Sequence, residues 1–208
     1  ADLAMALILA AMRNIVAANK FSRDGLWSEG PFPFGNSMAG KTLGIAGLGR
    51  IGSAIALRAA PFKVNIAYHN RRPKEVPYTF CESLEDLAQI SDILVCVLPG
   101  GDETDNLINA SVLEKLGPSG ILINVGRGNS IDDDALTNAL KTGSIKAAGL
   151  DVYKNEPHIP DAYQTLDNVI LLPHIGSATQ ETRRSMGHLV FENIEAFLQN
   201  GTLVTEVK

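Results

Sequence analysis

The chain has 208 residues, 45% of them apolar and 20% charged, with a formal net charge of −5, a balance that excludes disordered and collagen-like chains. Eighteen basic against 23 acidic residues leave no overall footprint for nucleic acid or an anionic membrane, so any anion site must be local. Cys81 and Cys96 lack CxxC or Cys/His spacing; no metal site or disulfide framework is expected, and a reducing cytoplasm fits best.

The first predicted element is a helix over residues 2–19, rich in Ala, Leu and Met and apolar nearly all round. Its apolar stretch is interrupted by Arg13 and Asn14, is too short to span a bilayer, and lacks the basic start of a signal peptide. A helix apolar on every side needs partners on every side, so this one is expected to stand apart from the rest of the chain. Residues 21–40, with four glycines and two prolines, read as a long connecting loop.

From Lys41 onward, short apolar runs alternate with helical stretches. Strands are predicted at 42–46, 64–68, 92–98, 120–125, 147–152 and 169–172, and helices at 50–60, 84–89, 110–116, 132–141 and 178–199. Strand, helix, strand in succession implies a parallel sheet, because a parallel pair needs a long crossover. The expected fold is one doubly wound α/β domain over 1–208.

Gly47-Leu48-Gly49-Arg50-Ile51-Gly52 is a GxGxxG directly after the first strand and directly before a helix, the context that gives the motif its meaning. Gly47 permits the tight turn, Gly49 lets the backbone approach a pyrophosphate, and Gly52 lets helix and strand pack closely. The helix N-terminus supplies amide donors to the phosphates. A glycine-rich turn that binds nothing is the alternative. At the end of the second strand, where an NAD site places a carboxylate on the ribose, the chain reads Tyr68-His69-Asn70-Arg71-Arg72. Two arginines suit a ribose 2′-phosphate, so NADP(H) is the expected cofactor, with NAD(H) as the alternative. A solvated surface pair is the other reading of Arg71 and Arg72.

Three further segments fall at later strand ends, where ligands bind in an open parallel sheet: Asn124 to Gly128, Gly149 to Pro157, and Leu171 to Thr179. Each places an ionisable residue at a strand terminus or in the loop after it, so an Arg, a Glu and a His could converge there from distant parts of the chain. Taken singly, Arg127 could anchor a turn, Glu156 could be a loop carboxylate and His174 a satisfied loop histidine.

The glycine loop, the GRG segment, the GLDVY–NEP segment and the LLPHIGSAT segment, in this order, resemble the D-isomer-specific 2-hydroxyacid dehydrogenases over nearly the whole chain. Within that family the arginine-bearing loop looks most like the NADPH-preferring hydroxypyruvate and glyoxylate reductases. The resemblance implies hydride transfer between a nicotinamide and C2 of a small 2-oxo acid. His174 would then be the acid/base. Glu156 would hydrogen-bond its other imidazole nitrogen, and Arg127 would hold the substrate carboxylate. It also implies that Leu48, Gly49, Arg50 and Ile51 face the pyrophosphate, Asn70, Arg71 and Arg72 the adenosine end, Val125 and Asp151 the carboxamide, and Gly176 and Ser177 the nicotinamide side. Asp151 as a simple loop cap is the alternative there.

After the third predicted strand, Leu98-Pro99-Gly100-Gly101-Asp102-Glu103-Thr104 departs from the family's Leu-Thr-Pro-Glu-Thr run, and only Leu98 and Pro99 carry over as cofactor contacts. The family has a separate substrate domain. By that resemblance 1–20 is the crossover helix, 178–200 would pack on the substrate domain, and the 208 residues alone would turn over substrate weakly or not at all. A homodimer is implied, with the first helix and its adjoining loop contributing. The alternatives from other classes are a dinucleotide-sensing module like the corepressors that resemble this family, and an inactive fragment.

Overall fold

The computed structural model describes residues 1–206 and resolves into two compact units, Ala1–Pro173 and a second that begins at His174. In chain order the first unit contains α1 (Asp2–Arg13), α2 (Ile15–Arg23), β1 (Thr42–Ala46), α3 (Arg50–Ala59), β2 (Asn65–His69), β3 (Thr79–Cys81) and α4 (Leu84–Ile90). It continues with β4 (Ile93–Cys96), α5 (Ala110–Leu116), β5 (Ile121–Asn124), α6 (Asp133–Thr142), β6 (Ala147–Leu150), α7 (Asp161–Gln164) and β7 (Val169–Leu171). The second unit holds the helix α8 (Gln180–Asn200).

The seven strands form one sheet in the order β3-β2-β1-β4-β5-β6-β7, and every neighbouring pair is parallel. Strands β4 and β5 are buried along their whole length, which is why they read as unbroken apolar runs rather than as alternating ones. Their side chains nonetheless divide by the two-residue strand period. Leu94, Cys96 and Leu122 join the core beneath α4, α5 and α6, whereas Ile93, Val95, Ile121 and Ile123 join the opposite core with α1 and α3. The sheet is thus wrapped on both faces, as expected of a doubly wound domain.

Two expectations are corrected. The single helix over 2–19 is instead two, bent by 60° at Asn14, which sits in the left-handed region with φ 52° and ψ 39°. Asn reaches that conformation more readily than most residues because its short polar side chain bonds locally. Nor does the first helix stand apart: Ala4, Leu7, Ile8 and Ala11 of α1 are buried against β5, β6, β7 and α3 of the same unit. Gly149 in β6 makes room for it, since a Cβ there would lie 3.3 Å from Leu7 Cδ2. The second half, α2, has no buried residue.

The edge strand β3 was not expected. Three residues between Pro77 and Ser83 are too few to show a period, and they pair with β2 alone. The short helix α7 escaped sequence reading for the same reason of length. The remaining strands and helices lie within two residues of their predicted ends, 92–98 and 147–152 each closing two residues early. No single described helix is long and apolar enough to cross a membrane.

Candidate active site

In a parallel sheet every strand delivers its C-terminal loop to one edge, and here the strand order reverses between the adjacent strands β1 and β4. That is the switch point at which two loops diverge and leave a crevice. The two loops meet closely: Gly47 has φ 98°, and a Cβ on it would lie 3.0 Å from the Val97 carbonyl oxygen. A side chain at Gly52 would come within 2.3 Å of the Gly47 oxygen and 3.1 Å of Ile45 Cγ2, so this glycine lets α3 seat on β1. Gly49 is different, because a Cβ there would meet nothing within 4 Å. It caps α3 with extended backbone and no side-chain cap, leaving helix amides directed at open space where an anion fits.

The adenosine end is built by β2 and its loop. The Leu48 amide donates to Asn70 Oδ1 at 2.7 Å, so Asn70 acts by fixing the glycine loop. Lys74, which sequence reading passed over, donates from Nζ to the Leu48 carbonyl at 2.6 Å. Tyr68 holds the turn, its hydroxyl accepting from the Lys74 amide at 2.8 Å and donating to the Lys74 carbonyl at 3.2 Å. Arg71 and Arg72 are exposed, and Arg71 donates to Glu103 Oε2 at 3.2 Å.

Across the switch point the loops are knitted together by buried groups. Asn124, wholly buried, receives the Gly126 amide at 3.0 Å and donates to the Arg127 carbonyl at 3.0 Å. Ser130 is also wholly buried; its hydroxyl donates to the same carbonyl at 2.6 Å and contacts Cys96 Sγ at 3.2 Å. Burial pushes the Cys96 thiol up, as expected of an apolar pocket. Arg127 is thus fixed through its backbone, and its guanidinium donates to the Gly126 carbonyl at 2.8 Å. The Val125 amide donates to the Cys96 carbonyl, and a Cβ at Gly126 would lie 2.8 Å from the Leu98 oxygen. Neither Asn124 nor Ser130 was singled out from the sequence, although their positions flanking the GRG segment were a usable signal.

Gly128 joins this loop to the next. A Cβ on it would lie 1.9 Å from the Tyr153 carbonyl carbon and 2.3 Å from the Lys154 nitrogen, so two backbones run flush. The second loop carries Asp151, which is buried, and Glu156, which accepts from the Tyr153 amide at 3.0 Å. The Tyr153 hydroxyl donates to the Leu150 and Leu172 carbonyls at 3.2 and 3.0 Å. Its pKa is pushed up to about 12, chiefly by burial. Arg127 and Glu156 therefore lie on touching loops at the strand ends. His174, Gly176 and Ser177 belong to the second unit, where His174 has φ 53° and is exposed.

A glycine loop opening a helix at the switch point of a doubly wound sheet defines a dinucleotide-binding domain. The family described as D-isomer specific 2-hydroxyacid dehydrogenase, NAD binding domain, matches residues 5–176, and the chain belongs to it. The chain is 44% identical over its full length to glyoxylate/hydroxypyruvate reductase A HPR2 of Arabidopsis thaliana. It is 46% identical to hydroxyphenylpyruvate reductase of Plectranthus scutellarioides, and it spans 66% of the length of each of these two relatives. The NADPH-dependent glyoxylate/hydroxypyruvate reductase of Sinorhizobium meliloti, solved in complex with NADP and malonate, superposes with a TM-score of 0.95 at 45% identity. That match covers 99% of this chain and 66% of that one.

Proposed function

We propose that the protein is an oxidoreductase that transfers a hydride between NADP(H) and a small 2-oxo or 2-hydroxy acid, hydroxypyruvate and glyoxylate being the favoured class. The reading is carried by the flush packing of Gly128 on Tyr153–Lys154, which brings the Arg127 and Glu156 loops together beside the crevice. The relatives' names support the substrate class, and the Sinorhizobium complex supports the cofactor.

The bound nicotinamide supplies the hydride. The chain's own residues do the rest. Leu48, Gly49, Arg50 and Ile51 form the pyrophosphate turn. Arg50 and Ile51 offer their backbone amides, because those of Leu48 and Gly49 are given to Asn70 Oδ1 and the Gly47 carbonyl. Arg71 and Arg72 take the 2′-phosphate. Val125 and Asp151 serve the carboxamide and Leu98 and Pro99 the cofactor beside them, while Gly176 and Ser177 of the second unit are assigned to the nicotinamide. Arg127 pairs with the substrate carboxylate and orients C2. His174 gives a proton to the carbonyl oxygen during reduction and takes it back during oxidation, with Glu156 favouring the imidazolium. The protein works in the cytoplasm as a homodimer; exposed Trp27 and Phe34 in the loop after α2 support that assembly.

Titration of the chain with NADPH and NADH, monitored by nicotinamide fluorescence, tests the cofactor assignment. NADPH is expected to bind tighter, and Arg71→Ala to weaken it by about tenfold, the scale of one charge-assisted hydrogen bond, while leaving NADH unchanged. Equal dissociation constants in the parent chain would overturn the NADP assignment.

A further inference from the structure

Residues 98–104, in the loop after β4, touch both ends of the crevice. At one end a Cβ on Gly100 would lie 3.2 Å from Arg127 Cγ, and Asn129 Nδ2 donates to the Gly101 carbonyl at 3.3 Å. The Thr104 hydroxyl reaches the Pro99 and Gly101 carbonyls at 2.7 and 3.0 Å, folding the segment back on itself. At its tip, Glu103 receives the Arg71 guanidinium at 3.2 Å, from 32 residues away in the chain. A carboxylate thus occupies the cation that is the candidate receptor for a nucleotide phosphate.

We propose that Glu103 is a specificity-determining residue that competes with the 2′-phosphate of the dinucleotide for Arg71. This rests on the reading of Arg71 as the phosphate partner. Carboxylate and phosphate are alternative acceptors for the same guanidinium fork, and both are anions, so they do not share it without repulsion. A phosphate carries the greater charge, close to −2 at neutral pH, and displaces the carboxylate. A dinucleotide without that phosphate leaves the pair intact. Glu103 therefore lowers affinity for NADPH and not for NADH. With Arg71 and Glu103 side chains 89% and 85% exposed, the pair is weakly held and opens readily, so it trims the preference without reversing it.

The test is a double-mutant cycle on the 208-residue chain, comparing the parent, Glu103→Gln, Arg71→Ala and the double variant. Each is titrated with NADPH and with NADH at low and high salt. Glu103→Gln is expected to bind NADPH about two- to fivefold tighter, the range of an exposed ion pair, with NADH unchanged. The gain should vanish in the Arg71→Ala background and shrink at high salt, where exposed charges are screened. Unchanged NADPH affinity in Glu103→Gln, beside a preference still abolished by Arg71→Ala, would overturn the role of Glu103 and leave Arg71 as the phosphate partner. A gain that persists without Arg71 would overturn the competition, as would weaker binding of either nucleotide, which would make Glu103 a ribose acceptor. No NADPH preference in the parent chain would defeat both readings together.

Discussion

The loops on the two sides of the switch point are built on different principles. On the β1–β2 side the two groups that would meet phosphate are exposed and loosely held: Gly49 faces open space, and Arg71 meets a carboxylate at the surface. On the β5–β6 side Arg127 and Glu156 are exposed as well, but they ride on buried supports held twice over, the Arg127 carbonyl by Asn124 and Ser130, the Tyr153 hydroxyl by two further carbonyls. A diffuse polyanion is recognised well by donors left free to adjust. A small carboxylate has few atoms to grip, and its orientation is set by a side chain whose backbone does not move.

One substitution made in both halves should break this contrast into opposite outcomes. Gly128→Ala places a methyl group inside the Tyr153–Lys154 backbone, which has no flexible end to yield. It is expected to cost at least about 3 kcal/mol, the upper range for overpacking, seen as a lower urea midpoint of unfolding. A stability within about 1 kcal/mol of the parent, the scale of an unstrained surface change, would show that the two loops are not rigidly joined. Next in size is an alkaline effect on the same half. Tyr153 is held at about pKa 12 by burial, above the unfolded value of about 10. The fold therefore gains from the protonated phenol, fully below about pH 10, and loses that gain as pH rises through about 12. Spectrophotometric titration of the parent against Tyr153→Phe should show one phenol missing from the late step; its loss from the ordinary step near pH 10 would contradict the assignment. Smallest in stability is Gly49→Ala, whose Cβ meets no atom and whose φ of −82° any residue adopts. Its cost should stay under about 1 kcal/mol, the scale of a poorer helix cap, while dinucleotide affinity falls sharply because the methyl group occupies the approach to the phosphates.

The β1–β2 half was the more legible in the sequence. A GxGxxG between strand and helix is a local constraint, and its geometry can be read from neighbours in sequence: Gly47 has positive φ, Gly49 is open, and Gly52 lies against its own turn. The strands were legible as apolar runs bounded by turns. What escaped was made by contacts across long separations. Lys74 reaching back to Leu48, Ser130 meeting Cys96, and Glu103 meeting Arg71 leave no periodic trace. The break at Asn14 escaped for a different reason, because an apolar pattern shows that a helix will be covered and not where it will bend. Ile15 and Val16, just past the break, remain 50% and 57% exposed.

The burial of α1 against β5 and β6 carries a consequence for how the domain is made. Leu7 rests beside Gly149, so the first helix cannot find its seat until some 140 residues later in the chain have been synthesised and ordered. Contacts of such separation slow folding, because the intervening loop must close before they form. In the interval, the Ala-, Leu- and Met-rich face of α1 is exposed on the ribosome, the condition under which nascent chains aggregate or recruit chaperones. Within this stretch of chain, the helix is made before the strands that cover it.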